Sequence, residues 1–183
     1  MILVRPYDDL AAHAVLSRLD PADQREVDLS RGAPTAPLAL FADWRAMQAV
    51  RYESHVALTG GTPFAVFALA NAGYSGVASV ALLARDHARF RRPLATLCTL
   101  IRAELPARAE KYRLTRLEAR SWSAHPTGAR LLTAMGFRRE ADLPGFGIGG
   151  SLTFTQFARV FLFPIHLGQD DPHPDQPPIN PKE

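Results

Sequence analysis

Three arginines, Arg89, Arg91 and Arg92, surround Phe90 just ahead of Pro93, where a helical pattern begins. A helix start favours anions and disfavours cations, so guanidinium groups gathered there suit a bound phosphate, which they can grip by side chain. Salt-bridging to Asp86, docking of an acidic partner protein and nucleic-acid contact remain open for the same cluster. Elsewhere, His125 carries the one imidazole in a motif-like setting, before Pro126, where it serves either proton transfer or helix capping. Glu118, on a strand pattern, and Glu53, just ahead of one, are carboxylates available as general bases or as ion-pair partners. Cys98 lies in an apolar helical stripe and reads as core. The run Gly145 to Gly150 joins two strand patterns with no helix after it, so it reads as a hairpin and not as a nucleotide loop. Asp170, Asp171, His173 and Asp175 are metal-capable, but no scaffold surrounds them, and no metal site is expected.

These groups need elements to hold them. Ile2 to Arg5 reads as a strand, and Asp8-Asp9 opens a helix with Leu10, Ala14 and Leu16 to Leu19. Asp20-Pro21-Ala22-Asp23 provides a cap, a first-position proline and a first-turn acid for a second helix, expected to reach about Ser30, before Gly32. Helical spacing returns from Leu40 to Arg51, with Phe41, Trp44, Met47 and Val50 as its core stripe. Three strands follow as a meander, Ser54 to Leu58, Pro63 to Ala70 and Val77 to Ala84, turning at Gly60-Gly61 and at Asn71 to Gly76. A helix runs from Pro93, its first stretch ended by Pro106. A strand from Leu114 to Trp122, a short helix from Pro126 to Met135 closed by Gly136, and strands at Phe137 to Leu143 and Ser151 to Phe163 complete the order. The fold class is therefore α/β (α+β), a mixed, mostly antiparallel sheet of about seven strands with helices on both faces.

At 183 residues and 47% apolar composition, one domain is expected, at residues 1–167. Residues 168–183 hold prolines and acids and read as a disordered tail. That tail carries a net charge of −3, which leaves +6 on the domain and suits anionic ligands such as coenzyme A or nucleic acid without choosing between them. No apolar run is long enough to cross a bilayer and no signal peptide is evident, so a soluble, intracellular protein without membrane partners is expected.

The segment Ser123-Ala124-His125-Pro126-Thr127-Gly128-Ala129-Arg130-Leu131-Leu132-Thr133-Ala134-Met135-Gly136-Phe137, set in this order of elements, resembles the GCN5-related N-acetyltransferase (GNAT) fold family. The resemblance implies acetyl-coenzyme A as cofactor, its pyrophosphate held by backbone amides of an Arg/Gln-x-x-Gly-x-Gly/Ala loop at the helix after the meander. Here that segment is Arg85-Asp86-His87-Ala88-Arg89-Phe90-Arg91-Arg92-Pro93, and no glycine occurs between Val77 and Thr127. Arg89, Arg91, Arg92 and Leu83 are accordingly the cofactor candidates. The acid tyrosine of the family pattern corresponds to Leu132, which leaves His125 and Glu118 as catalytic candidates. An active enzyme requires a cleft between Val77 to Ala84 and Leu117 to Trp122.

A narrower resemblance, in Arg18 to Glu26, Pro144 to Gly150 and Phe154 to Phe157, is to a bacteriophage and prophage branch that includes internal virion proteins of short-tailed phages. It implies a protein degenerate in catalysis, acting in virion assembly with phage head or portal proteins, in the host cytoplasm or in the virion. The alternatives are an active acetyl-coenzyme A-dependent N-acetyltransferase and a nucleic-acid-binding accessory protein.

Overall fold

Strand order in the sheet is β1-β2-β3-β4-β5-β7-β6, in a computed structural model that describes residues 1–162. The elements are β1 (Ile2–Pro6), α1 (Asp9–Leu16), α2 (Pro21–Arg31), α3 (Pro37–Ala46), β2 (Arg51–Thr59), β3 (Thr62–Asn71), β4 (Val77–Ala84), α4 (Arg91–Lys111), β5 (Arg116–Trp122), α5 (Gly128–Ala134), β6 (Arg138–Phe146) and β7 (Leu152–Val160). Neighbouring strands are antiparallel except β4 and β5, which run parallel. The expected mixed, mostly antiparallel sheet of seven strands is what forms. The proposed tail at 168–183 lies outside the described residues.

Strand alternation divides the core in two. On β3, Phe67 and Leu69 face α4 and pack with Leu97 and Leu105, whereas Val66 and Ala68 face α1 and α3 and pack with Leu16 and Trp44. Cys98 is fully buried on the inner face of α4, as its apolar stripe indicated, and burial pushes its thiol up to about 11.

Local chemistry set several boundaries as expected. Asp20 caps α2 by accepting from the Ala22 amide at 2.9 Å, Pro21 opens the helix, and Gly32 closes it at φ 72°. Other boundaries moved. α1 stops at Leu16, and the apolar spacing out to Leu19 continues in a turn. The helix expected from Leu40 to Arg51 is α3 plus a 3-10 turn at Met47–Val50; the carbonyl of Trp44 is claimed by Arg51 and Gln48 side chains, and Met47 and Val50 stand 46% and 48% exposed. Pro106 does not interrupt α4. It lacks the amide that would bond Arg102, and Arg159 Nη1 donates to that carbonyl instead at 3.0 Å. β7 ends at Val160 and β6 runs on to Phe146.

Candidate active site

Parallel pairing between β4 and β5 covers Val77, Ala78 and Ser79 against Arg116, Leu117 and Glu118, and then stops. β4 remains paired with β3 to Ala84, and β5 with β7 to Trp122, so beyond that seam the two strands part and the sheet opens as a V. A cleft of about 340 Å³ fills the opening, with walls that include Val80, Leu83, Ala119, Leu131, Leu132 and Phe154. The cleft required for an enzyme of the resembled fold is therefore present.

Parting two strands leaves backbone groups without ladder partners, and buried ones must be paired elsewhere. Helix α2 supplies the partners. Asp23 Oδ2 accepts from the Ala84 amide at 2.7 Å, and the Ala84 carbonyl accepts from the Asp20 amide at 2.9 Å. One turn along α2, Glu26 Oε2 accepts from the Trp122 amide and from Ser121 Oγ, both at 2.9 Å. Asp23 and Glu26 share a helix face because they are three residues apart, and they serve one strand each. Gly128 makes room for this: a Cβ there would lie 2.2 Å from Ser121 Oγ.

A buried polar clasp crosses the mouth of the V. Asp23 Oδ1 lies 3.0 Å from His125 Nε2 and 3.2 Å from His87 Nε2, the second at an angle too poor for a hydrogen bond. His125 Nδ1 accepts from the amides of Gly128 (2.8 Å) and Thr127 (3.2 Å), so its proton resides on Nε2 and is donated to Asp23. His87 Nδ1 is 2.8 Å from Thr127 Oγ1, and the His87 amide donates to Asp20 Oδ2 at 2.8 Å. The loop after β4 is thereby tied to the loop after β5.

Charge follows from this wiring. Burial favours a neutral Asp23, but the hydrogen bond from His125, the His87 imidazole beside it and the Ala84 amide outweigh that and hold its carboxyl below the usual range. Burial likewise pulls the His87 imidazole down, and Asp23, Asp20 and Asp86 outweigh it and raise it. For Glu26 burial prevails and its carboxyl is raised, against the hydrogen bonds from Ser121 and Trp122. Both of those bonds fall on Oε2, so Oε1 has no hydrogen bond among the described residues.

Of the residues singled out in the sequence, Leu83 lines the cleft and His125 lies in its wall, with both ring nitrogens engaged as a cap and a carboxylate partner. Glu118 stands in the paired seam, 2.6 Å from Arg116, which also holds Glu140; it does not line the cleft. Glu53 lies with Arg108, at 2.5 Å, far along the sheet on β2. Arg89, Arg91 and Arg92 are exposed at the start of α4, and none is ion-paired among the described residues; Asp86 accepts from the Arg89 amide rather than from its guanidinium. Arg85, close to them, is pulled down by burial and by the charges of Arg18 and Arg89, so cations converge on this rim. Asp20, Asp23, Glu26, His87 and Ser121 were not read as site residues. The two aspartates show only capping and helix-dipole signals in sequence, and the others show none.

The fit of coenzyme A is uneven. The V accepts an extended arm, and β-alternation from Ala84 turns the Leu82 N–H and C=O toward the same edge. At the loop, the amides of His87, Arg89 and Phe90 already have internal acceptors, while those of Arg91 and Arg92 have none among the described residues.

No protein-family model and no curated protein sequence matches the chain. Solved structures do. An N-acetyltransferase from Staphylococcus aureus is 13% identical with a TM-score of 0.67, over 87% of this chain and 98% of that one. A ribosomal-protein-alanine N-acetyltransferase from Brucella melitensis is 16% identical with a TM-score of 0.64, over 87% and 99%. A phosphinothricin acetyltransferase from Sinorhizobium meliloti, in complex with acetyl-coenzyme A, is 15% identical with a TM-score of 0.61, over 87% and 88%. In its strand order, mixed sheet and flanking helices, the chain has the fold of the GCN5-related N-acetyltransferases.

Proposed function

We propose that the protein is an acyl-coenzyme A-dependent N-acyltransferase, with acetyl-coenzyme A as its donor. The observation that carries this reading is the V between β4 and β5, open beyond Ser79 and Glu118 and walled by apolar side chains. Acetyl-coenzyme A in the Sinorhizobium meliloti relative supports the choice of donor.

Bound coenzyme A would supply the activated acyl group, with its pyrophosphate near the free amides and guanidinium groups of Arg91 and Arg92 and its arm along Leu82 and Leu83. The chain's own contribution centres on Glu26. Its carboxylate lines the cleft, offers Oε1, and is raised toward neutrality by burial, which suits it to take a proton from an acceptor ammonium. With an acyl thioester bound, the freed amine would displace the thiolate, and because Leu132 offers no proton, the nitrogen's second proton would have to reach the sulfur through solvent. Apolar walls keep bulk water from competing with the amine.

This reading departs from the virion-assembly role that the phage-type resemblance implied. That role rests on the phage-type resemblance, with the unpaired arginines as its docking surface, and the similar solved structures, acetyltransferases of bacteria, favour the enzyme. Calorimetric titration with acetyl-coenzyme A is the test. Micromolar binding that drops at least tenfold in an Arg91→Ala, Arg92→Ala double variant supports the transferase, and absence of heat with the unaltered protein removes it.

A further inference from the structure

Two opposite charges line the cleft and do not neutralise each other. Glu26 presents Oε1 without a hydrogen bond, and it has no ion pair among the described residues. Arg120, at the exposed rim on β5, gives its Nε to Gln156 Oε1 at 2.9 Å, which fixes the guanidinium plane and leaves the Nη1 and Nη2 fork without a hydrogen bond or ion pair among the described residues. Gln156 is itself buried on β7, so the anchor is rigid. Asp23, Ser30, Ser121 and His125 are the other polar members of the lining, Asp23, Ser121 and His125 being tied up in the contacts described above; the rest is apolar, and two rings, Phe146 and Phe154, meet at 4.8 Å between centroids.

A carboxylate with a free oxygen and an anchored guanidinium fork in one largely apolar cleft are complementary to a ligand that carries an ammonium and a carboxylate together. We propose that the acyl acceptor is a free α-amino acid with an apolar side chain, its ammonium on Glu26 Oε1 and its carboxylate on the Arg120 fork. The proposal rests on the transferase reading for the word acceptor, and on the two residues alone for the binding site. A fork and a carboxylate meet through two parallel hydrogen bonds, which discriminates a free acid from its ester. Burial around Glu26 strengthens its pairing with an ammonium relative to open water, and the two rings give an aromatic side chain a surface to pack on. A plain amine would satisfy Glu26 and leave Arg120 idle; an N-acylated acid would do the reverse.

Saturation-transfer NMR and calorimetry with L-phenylalanine, its methyl ester and its N-acetyl derivative separate these cases. L-Phenylalanine is expected to bind at least about tenfold more tightly than either derivative, the worth of one charge-assisted contact. In Arg120→Gln, checked as folded by its melting transition, the advantage over the ester disappears. In Glu26→Gln, the advantage over the N-acetyl compound disappears. Equal binding of ester and free amino acid overturns the proposal in favour of a plain amine. Acetyl-coenzyme A binding with no response to any of the three overturns it while the transferase stands. L-Phenylalanine binding without acetyl-coenzyme A binding keeps the zwitterion site and removes the transferase, and silence from all four ligands removes both.

Discussion

Asp23 Oδ1 stands 3.0 Å from His125 Nε2, and the proton between them belongs to the imidazole, because the other ring nitrogen already accepts two backbone amides. The carboxylate is 7% exposed and its second oxygen holds the Ala84 amide, so it joins α2, the end of β4 and the loop after β5 at one point. Replacing Asp23 with alanine orphans a buried amide and a buried imidazole donor together. We expect a loss of about 3 kcal/mol in urea unfolding, larger than for Asp43→Ala, whose ion pair with Arg31 is exposed.

The raised imidazole of His87 gives stability a pH dependence. Its folded value lies above its unfolded one, so the native state binds more protons between the two, and stability falls as pH rises through the folded value. Thermal melts should therefore decline as pH rises above the unfolded value of about 6.5, and His87→Gln should flatten that slope. Asp23 acts in the opposite direction. Its depressed carboxyl gives stability that is complete above the unfolded value of about 4 and is lost on further acidification.

Gly128→Ala tests the contact between α5 and the Glu26 bridge. The new methyl would sit 2.2 Å from Ser121 Oγ and displace that hydroxyl from Glu26. A cost of about 1 to 3 kcal/mol is expected for overpacking at such a contact. In a Ser121→Ala background the oxygen is gone, and the same substitution should cost measurably less, with the coupling read from a double-mutant cycle.

Arg159 and Pro106 make a second pair open to such a cycle. Arg159→Ala removes the donors to the Arg102 and Met135 carbonyls. With Pro106 present, the Arg102 carbonyl then has no helical amide to turn to, and a loss of about 1 to 2 kcal/mol is expected. Pro106→Ala supplies that amide, so the part of the loss due to Arg102 should vanish in the double variant.

What could be read in the sequence was local. The cap at Asp20, the close at Gly32, the turn at Gly60-Gly61 and the strand Val77 to Ala84 are each decided by neighbours within a few positions, and each forms where expected. The site was not local. Asp23 meets Ala84 across 61 positions and His125 across 102, and Glu26 meets Ser121 across 95. Nothing in the residues around Asp23 and Glu26 separates acids that stabilise a helix start from acids that hold a sheet apart. Pro106 misled for the same reason, since the group that compensates for it lies 57 residues beyond Arg102. His125 reads in sequence as a proton-transfer group or a helix cap, and its Nδ1 accepts the Thr127 and Gly128 amides as a cap does.

The seam of three residue pairs at Val77 to Ser79 has a mechanical meaning. It acts as the fulcrum of a clothes-peg whose jaws are two smaller sheets, β1-β2-β3-β4 and β5-β7-β6, with the Asp23, His87 and Thr127 contacts as the catch. A peg of this kind separates along its fulcrum more readily than within a jaw, so amide exchange should release the two sheets as distinct cooperative blocks. Anything that enters between the jaws must trade its own contacts for those of the catch, and the strength of the catch then sets how selective the grip is.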